Sequence, residues 1–233
     1  MAIFTPGLAI SQISGSSGGQ TFSRNRFGQY IRSRAIPINP NSSYQQAIRN
    51  AVSQLAARWS QVLTSTQRDA WNSYASNVSV QNRLGQTVYL TGFQMYQRSN
   101  ASRVQVGETP IDDGPATLSL PEVDSTIAVT IAATTSVMSI TFDDGYDWAN
   151  DDDGRLLVYM GVPQNSGVNY FGGPWRYAGK IEGDSVSPPS SPDTSITGPF
   201  SLQAGQHVWV YARQSNGDGR LTGKILRGPV TLT

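Results

Sequence analysis

The sequence predicts an α+β protein in three parts: N-terminal β arms, a three-helix region and an all-β sandwich. Three observations lead to that expectation. The 233 residues include 23 Gly and 13 Pro among many Ser and Asn, a composition that favours turns over long helices. Apolar spacing is helical only between about residues 44 and 104, and beyond residue 116 it switches to period two. The charge divides at the same place. Through residue 110, ten arginines face only Asp69 and Glu108, whereas from residue 111 onward seven cations face fourteen acids.

From residue 7 to residue 38, Ile10, Ile13, Phe22, Phe27, Tyr30, Ile31, Ile36 and Ile38 fall in short stretches broken by Ser-Gly runs, which predicts two or three strands or extended arms. Pro37 and Pro40 then hold the chain out of helical geometry, and Ser42 or Ser43 can cap a helix starting there. Over 44–63, Ile48, Val52, Leu55, Trp59 and Val62 line one face of this first helix. Thr64-Ser65-Thr66-Gln67 has the form of a capping box and opens a second helix that buries Trp71, Tyr74 and Val78. A short strand over 86–90 precedes Thr91-Gly92-Phe93-Gln94, which repeats the capping arrangement. Phe93, Tyr96, Gln97, Asn100 and Val104 keep helical spacing in a third helix that ends near Gly107.

Residues 109–116 combine two prolines, a glycine and paired acids, poor material for either regular structure, and are read as a linker. The domains expected are therefore 1–108, an arginine-rich arm and helical assembly domain, and 117–233, a β-sandwich. In the second, alternation runs over 127–131, 137–142, 156–162, 175–181, 207–212 and 223–232, with turn residues between. Short strands at that spacing predict a sandwich of immunoglobulin or fibronectin type.

The sequence argues against catalysis. It has no cysteine and one histidine, His207, inside an alternating strand segment where a structural role is the expectation. Gly15-Ser16-Ser17-Gly18-Gly19 matches the G-x-S-x-G nucleophile elbow formally, but no buried strand precedes it and no helix comes after it, so it reads as a turn. No carboxylate pair stands out for acid-base chemistry. The acids between Asp143 and Asp153 give weak calcium candidates in Asp147, Asp151 and Asp153, set against a solvated loop because the helix-loop-helix calcium pattern fails. No cofactor is expected. Tyr170, Phe171, Trp175 and Tyr177 around a Gly-Gly-Pro turn are minor candidates for stacking on sugar rings.

Arg24, Arg26, Arg32 and Arg34 interleave with Phe22, Phe27 and Tyr30. That mix suits phosphate contacts and base stacking, but no nucleic-acid-binding motif is visible, and arginine is also the preferred cation of protein interfaces. These seven residues are the predicted assembly interface. The opposite charges of the two halves favour head-to-tail contacts or docking of the basic half on an acidic protein surface. Met1–Gly7 lacks the basic and apolar regions of a secretory signal, and no stretch approaches the ~20 apolar residues that span a bilayer, so no membrane partner is expected.

Several elements in order carry a resemblance. They are the Gly-rich 15–19, the Arg-x-Arg-x-x-Pro-x-Asn-Pro stretch at 32–40, Gln45 with Arg49, Trp59, Leu63-Thr64 with Gln67 to Trp71, and Leu90-Thr91-Gly92-Phe93 with Asn100. Over 15–107 the chain resembles small structural proteins of tailed-phage and prophage particles. The resemblance implies a virion component whose partners are copies of itself and other virion proteins; the β extension departs from the short family form. The expected function is thus a structural protein that assembles through its basic half and displays the acidic sandwich as a head, collar or tail decoration. A receptor- or glycan-binding adhesin is the alternative, and a glycan hydrolase stands behind both.

Overall fold

The computed structural model describes residues 2–4, 7, 13–25, 28–36, 38–81 and 86–232. Its helices and antiparallel sheets make it an α+β protein. It divides into two compact units, Met1–Gln45 and Gln46–Thr233. That division differs from the expected break at 109–116, because side chains of the helices hold this segment in place.

In the first unit, β1 (Ala2–Phe4), β2 (Gly15–Ser17), β3 (Gln20–Asn25) and β4 (Gly28–Ser33) form one antiparallel sheet in the order β1-β4-β3-β2. Gly18 and Gly19, at φ +55° and +78°, supply the two left-handed residues that a two-residue hairpin turn demands between β2 and β3. The formal nucleophile elbow is therefore a hairpin. Among the described side chains of this unit only Gln29 is buried. Ile10, Phe27 and Pro37 lie outside the described residues.

The helices start where their caps dictate. Ser42 Oγ accepts from the Gln45 amide while Gln45 Oε1 accepts from the Ser42 amide, opening α1 (Ser43–Gln61). Full capping boxes at Thr64 with Gln67 and at Thr91 with Gln94 open α2 (Ser65–Asn77) and α3 (Gly92–Gln105). Between these two helices, β5 (Ser79–Gln81) and β6 (Thr87–Tyr89) pair antiparallel. The helical core contains Leu55, Leu63, Trp71, Tyr74, Ala75, Val78, Met95 and Tyr96. The predicted stripe of α1 needs correction: Val52 and Val62 are 41% and 56% exposed, while Ala51 is buried with Leu55. The steps of four from Ala51 through Leu55 to partly buried Trp59 define the packed line, and Val52 stands one position off it.

Beyond residue 116 two sheets enclose one core. The first, in the order β11-β8-β7, comprises β7 (Ala128–Ile131), β8 (Val137–Thr141) and β11 (Asp193–Thr197). The second, in the order β10-β9-β12-β13, comprises β9 (Arg155–Gly161), β10 (Trp175–Glu182), β12 (His207–Ser215) and β13 (Ile225–Thr231). Val129, Ile131, Met138, Ile140 and Ile196 of the first meet Leu156, Val158, Met160, Val208, Val210 and Ala212 of the second. The alternation is clean in β12, where even positions fill the core and Trp209 and Tyr211 face outward. The sequence reading missed β11, whose single core residue Ile196 sits in a polar Ser- and Pro-rich stretch.

Candidate functional site

The predicted assembly interface falls on the sheet of the first unit. Register places Phe22 opposite Ile31 and Ser23 opposite Tyr30, so Phe22 and Arg24 share one face while Tyr30 and Arg32 share the other. Arginine and aromatic residues therefore occupy both faces rather than one stripe. Arg24, Arg32 and Arg34 are exposed, and the Arg34 amide donates to the Gly19 carbonyl, extending the hairpin ladder by one bond. Arg26 and Phe27 lie outside the described residues. Residues 1–45 contain four arginines and no acid or lysine.

Arginines further along are held differently, as sequence reading could not foresee. Arg58 donates through Nε and a terminal nitrogen to the two Asp112 carboxylate oxygens, at 2.7 and 2.6 Å. This pairing holds the Arg58 guanidinium above its ordinary range. The Tyr96 hydroxyl also donates to Asp112, and Trp71 Nε1 donates to the Asp112 carbonyl. Asn100 donates to the Ile111 carbonyl and accepts from the Ile111 amide. Residues 109–116 are thus clasped to the helices, and what composition presents as a linker is a packed crossing between the helices and the sandwich.

Two further arginines of α3 reach the sandwich. Arg98 donates to the Leu221 and Thr222 carbonyls, and burial, with the nearby Arg213 charge second, lowers its guanidinium to about 10. Arg103, 2% exposed at its side chain, donates to the Thr109 and Asp153 carbonyls and lies 3.5 Å from the Asp153 carboxylate. Glu108 bonds Lys180 and lies 3.7 Å from Arg155. The Lys180 bond first, and the neighbouring cations after it, hold the Glu108 carboxyl below the usual carboxylate range. Much of the charge contrast between the two halves is consumed inside one compact unit.

The three calcium candidates obey the same logic. Asp151 accepts from the Asp153 and Gly217 amides, Asp147 lies near Asn216 and Arg220, and Asp153 pairs with Arg103 and Arg155. Among the described residues no group of three or more His, Asp or Glu side chains is placed to hold a metal ion. Asp151 thus joins its own turn to Gly217, while the Asp147 and Asp153 side chains lie beside these cations and stay 76% and 66% exposed. His207 Nδ1 lies 3.1 Å from the Val168 carbonyl oxygen and its ring meets Trp209 edge-on.

The aromatic candidates cover the outer face of the four-stranded sheet. Tyr159 stacks on Tyr211 at 4.6 Å, Tyr177 and Trp175 meet this pair edge-on, and Phe171 lies between Trp175 and Trp209. Lys224 sits 4.7 Å above the Tyr211 ring. The stacking surfaces of most of these rings are engaged with each other, while Tyr170 is 82% exposed. Among the described residues no helix is long and apolar enough to cross a membrane. No protein-family model, curated protein or solved structure matches this chain.

Proposed function

We propose that the chain is a structural virion protein of a tailed phage that assembles through its N-terminal unit and displays the sandwich outward. The observation that carries the reading is the first unit: a four-stranded sheet with arginines and aromatics on both faces and, among its described side chains, one that is buried. Such a sheet gains little from its own packing, because strands need a covered apolar face for independent stability. Neighbouring subunits supply that cover, and exposed arginines give it direction toward acidic partners. The resemblance over 15–107 supplies the phage context.

The sandwich fits the display role as an immunoglobulin-like domain closest to the fibronectin type. Three strands face four, and the chain crosses between the sheets after β8, β10 and β11.

The test is the solution mass of the full-length protein by light scattering, beside the variant Arg24→Glu/Arg32→Glu/Arg34→Glu. A defined oligomer that the charge reversal converts to monomer, with circular dichroism unchanged, is expected. A wild-type chain that stays monomeric at all concentrations overturns self-assembly through this unit.

A further inference from the structure

Helix α1 carries more apolar surface than the helical core uses. Ala51 and Leu55 are buried and Trp59 partly so, while Val52 and Val62, beside that line, stay 41% and 56% exposed. Valine is a weaker helix former than alanine or leucine, so nothing local to the helix favours it at either position. At the C-terminal end of α1 this surplus opens into a groove of about 510 Å³, lined by Gln54, Ala57, Arg58, Val62, Val104 and Pro110 among others. Val62, Val104 and Pro110 make its wall apolar, and all three keep accessible surface. Arg58 on that wall is paired with Asp112, and Glu108 beside it with Lys180, so neither charge is left free.

A complementary piece is present on the same chain. Between β4 and α1, Ile36 and Ile38 are 79% and 92% exposed. Pro37 and Pro40 fix φ in this stretch, which lowers the conformational entropy lost when it docks. Residues two apart on an extended chain project to one side about 7 Å apart, close to the rise of about 6 Å between Arg58 and Val62 along α1.

Charge brings the two together from different copies. Residues 1–45 contain four arginines and no acid or lysine, whereas residues 46–233 contain thirteen cations and sixteen acids. The basic arm of one copy is therefore drawn to the acidic remainder of its neighbour and repelled by the neighbour's own arm, which favours a head-to-tail contact. We propose that residues 34–40 of one copy lie in the α1 groove of a second copy, with Ile36 and Ile38 against Val62, Val104 and Pro110. The proposal rests on assembly through the N-terminal unit and names the surface that receives it. Seating the arm there takes out of water apolar side chains that a single chain leaves exposed on both partners.

The chain has no cysteine, so introduced thiols report one contact alone. Full-length Ile38→Cys and Val62→Cys, both changed at exposed positions, are mixed and oxidised; Ile38→Cys with Val186→Cys is the control, because Val186 is 91% exposed in the loop between β10 and β11. Mass spectrometry of the joined peptides is expected to find the 38–62 link about tenfold or more in excess of the 38–186 link. Ile36→Ser/Ile38→Ser, at positions exposed in the single chain, is expected to weaken self-association by about tenfold or more with circular dichroism unchanged. A defined wild-type oligomer whose 38–62 link stays at the control level, or whose affinity the double serine variant leaves unchanged, overturns docking in the groove while assembly through the N-terminal unit stands. A link that forms within single chains of the Ile38→Cys/Val62→Cys double variant but not between the mixed variants overturns the exchange and gives the groove to the chain's own arm. A monomeric wild type overturns both readings.

Discussion

Replacing Asp112 by alanine isolates the clasp that joins the helices to the crossing segment. The carboxylate accepts two bonds from Arg58, at 2.7 and 2.6 Å, and one from the Tyr96 hydroxyl at 3.2 Å, with the ion-pair side chains 34% and 20% exposed. Hydrogen bonds to charged groups contribute about 1.5–3 kcal/mol where water is excluded. Partial exposure moves this pair toward the ~1 kcal/mol of solvated ion pairs, so the loss should be about 2 kcal/mol. In a cooperative unit of 150–250 residues that corresponds to a fall in Tm of roughly 4–8 °C. Asp113 is the control: it is exposed, accepts from Gln67 alone, and should change stability by no more than about 0.5 kcal/mol when replaced by alanine. Thermal denaturation of the two variants beside wild type reads the difference, and limited proteolysis should find 109–116 resistant in wild type and cleaved sooner in Asp112→Ala. An Asp112→Ala protein as stable as Asp113→Ala would show that this segment is a tether after all.

Glu108→Gln should remove part of the acid sensitivity. The folded pKa of Glu108 is depressed by Lys180, so its stabilisation is present above the ordinary glutamate range and disappears as pH falls through the lowered value; wild type should lose stability on acidification there and the variant should lose less. Gly183→Ala should unfold or strongly destabilise the chain, because a Cβ would lie 2.0 Å from the Trp148 carbonyl oxygen, whereas Gly223→Ala, with nothing within 4 Å, should stay within about 0.5 kcal/mol of wild type by chemical denaturation. Arg98→Met should cost about 2–3 kcal/mol in the same assay, since the carbonyls of Leu221 and Thr222 each lose a charged donor. Leu55→Ala should cost about 2–4 kcal/mol, and Val52→Ala well under 1, if the packed line of α1 runs as described.

What was legible in the sequence was whatever neighbouring residues decide among themselves. Thr64 with Gln67 and Thr91 with Gln94 act within one helical turn, so their caps could be read directly and the helix starts with them. The alternation of Met138 and Ile140 with Val137 and Ser139 marks a strand with one covered face whatever covers it. Gly18-Gly19 announced its turn because no other residue adopts two successive left-handed conformations so cheaply.

Partners distant in the chain were hidden for the complementary reason. Asp112 looks like a turn acid until Arg58 and Tyr96 arrive from α1 and α3, and nothing in the acids at 147–153 announces that Arg103 and Arg155 lie beside Asp153 and Arg220 beside Asp147. Trp148 and Gln214 lie 66 positions apart, and neither carries any local sign of an unpaired donor. Composition, caps and alternation determined the α+β class and the course of most elements. Which charges neutralise each other, where the compact units divide and which polar groups are left without partners were decided only by the tertiary fold, because electrostatic pairing depends on separation in space.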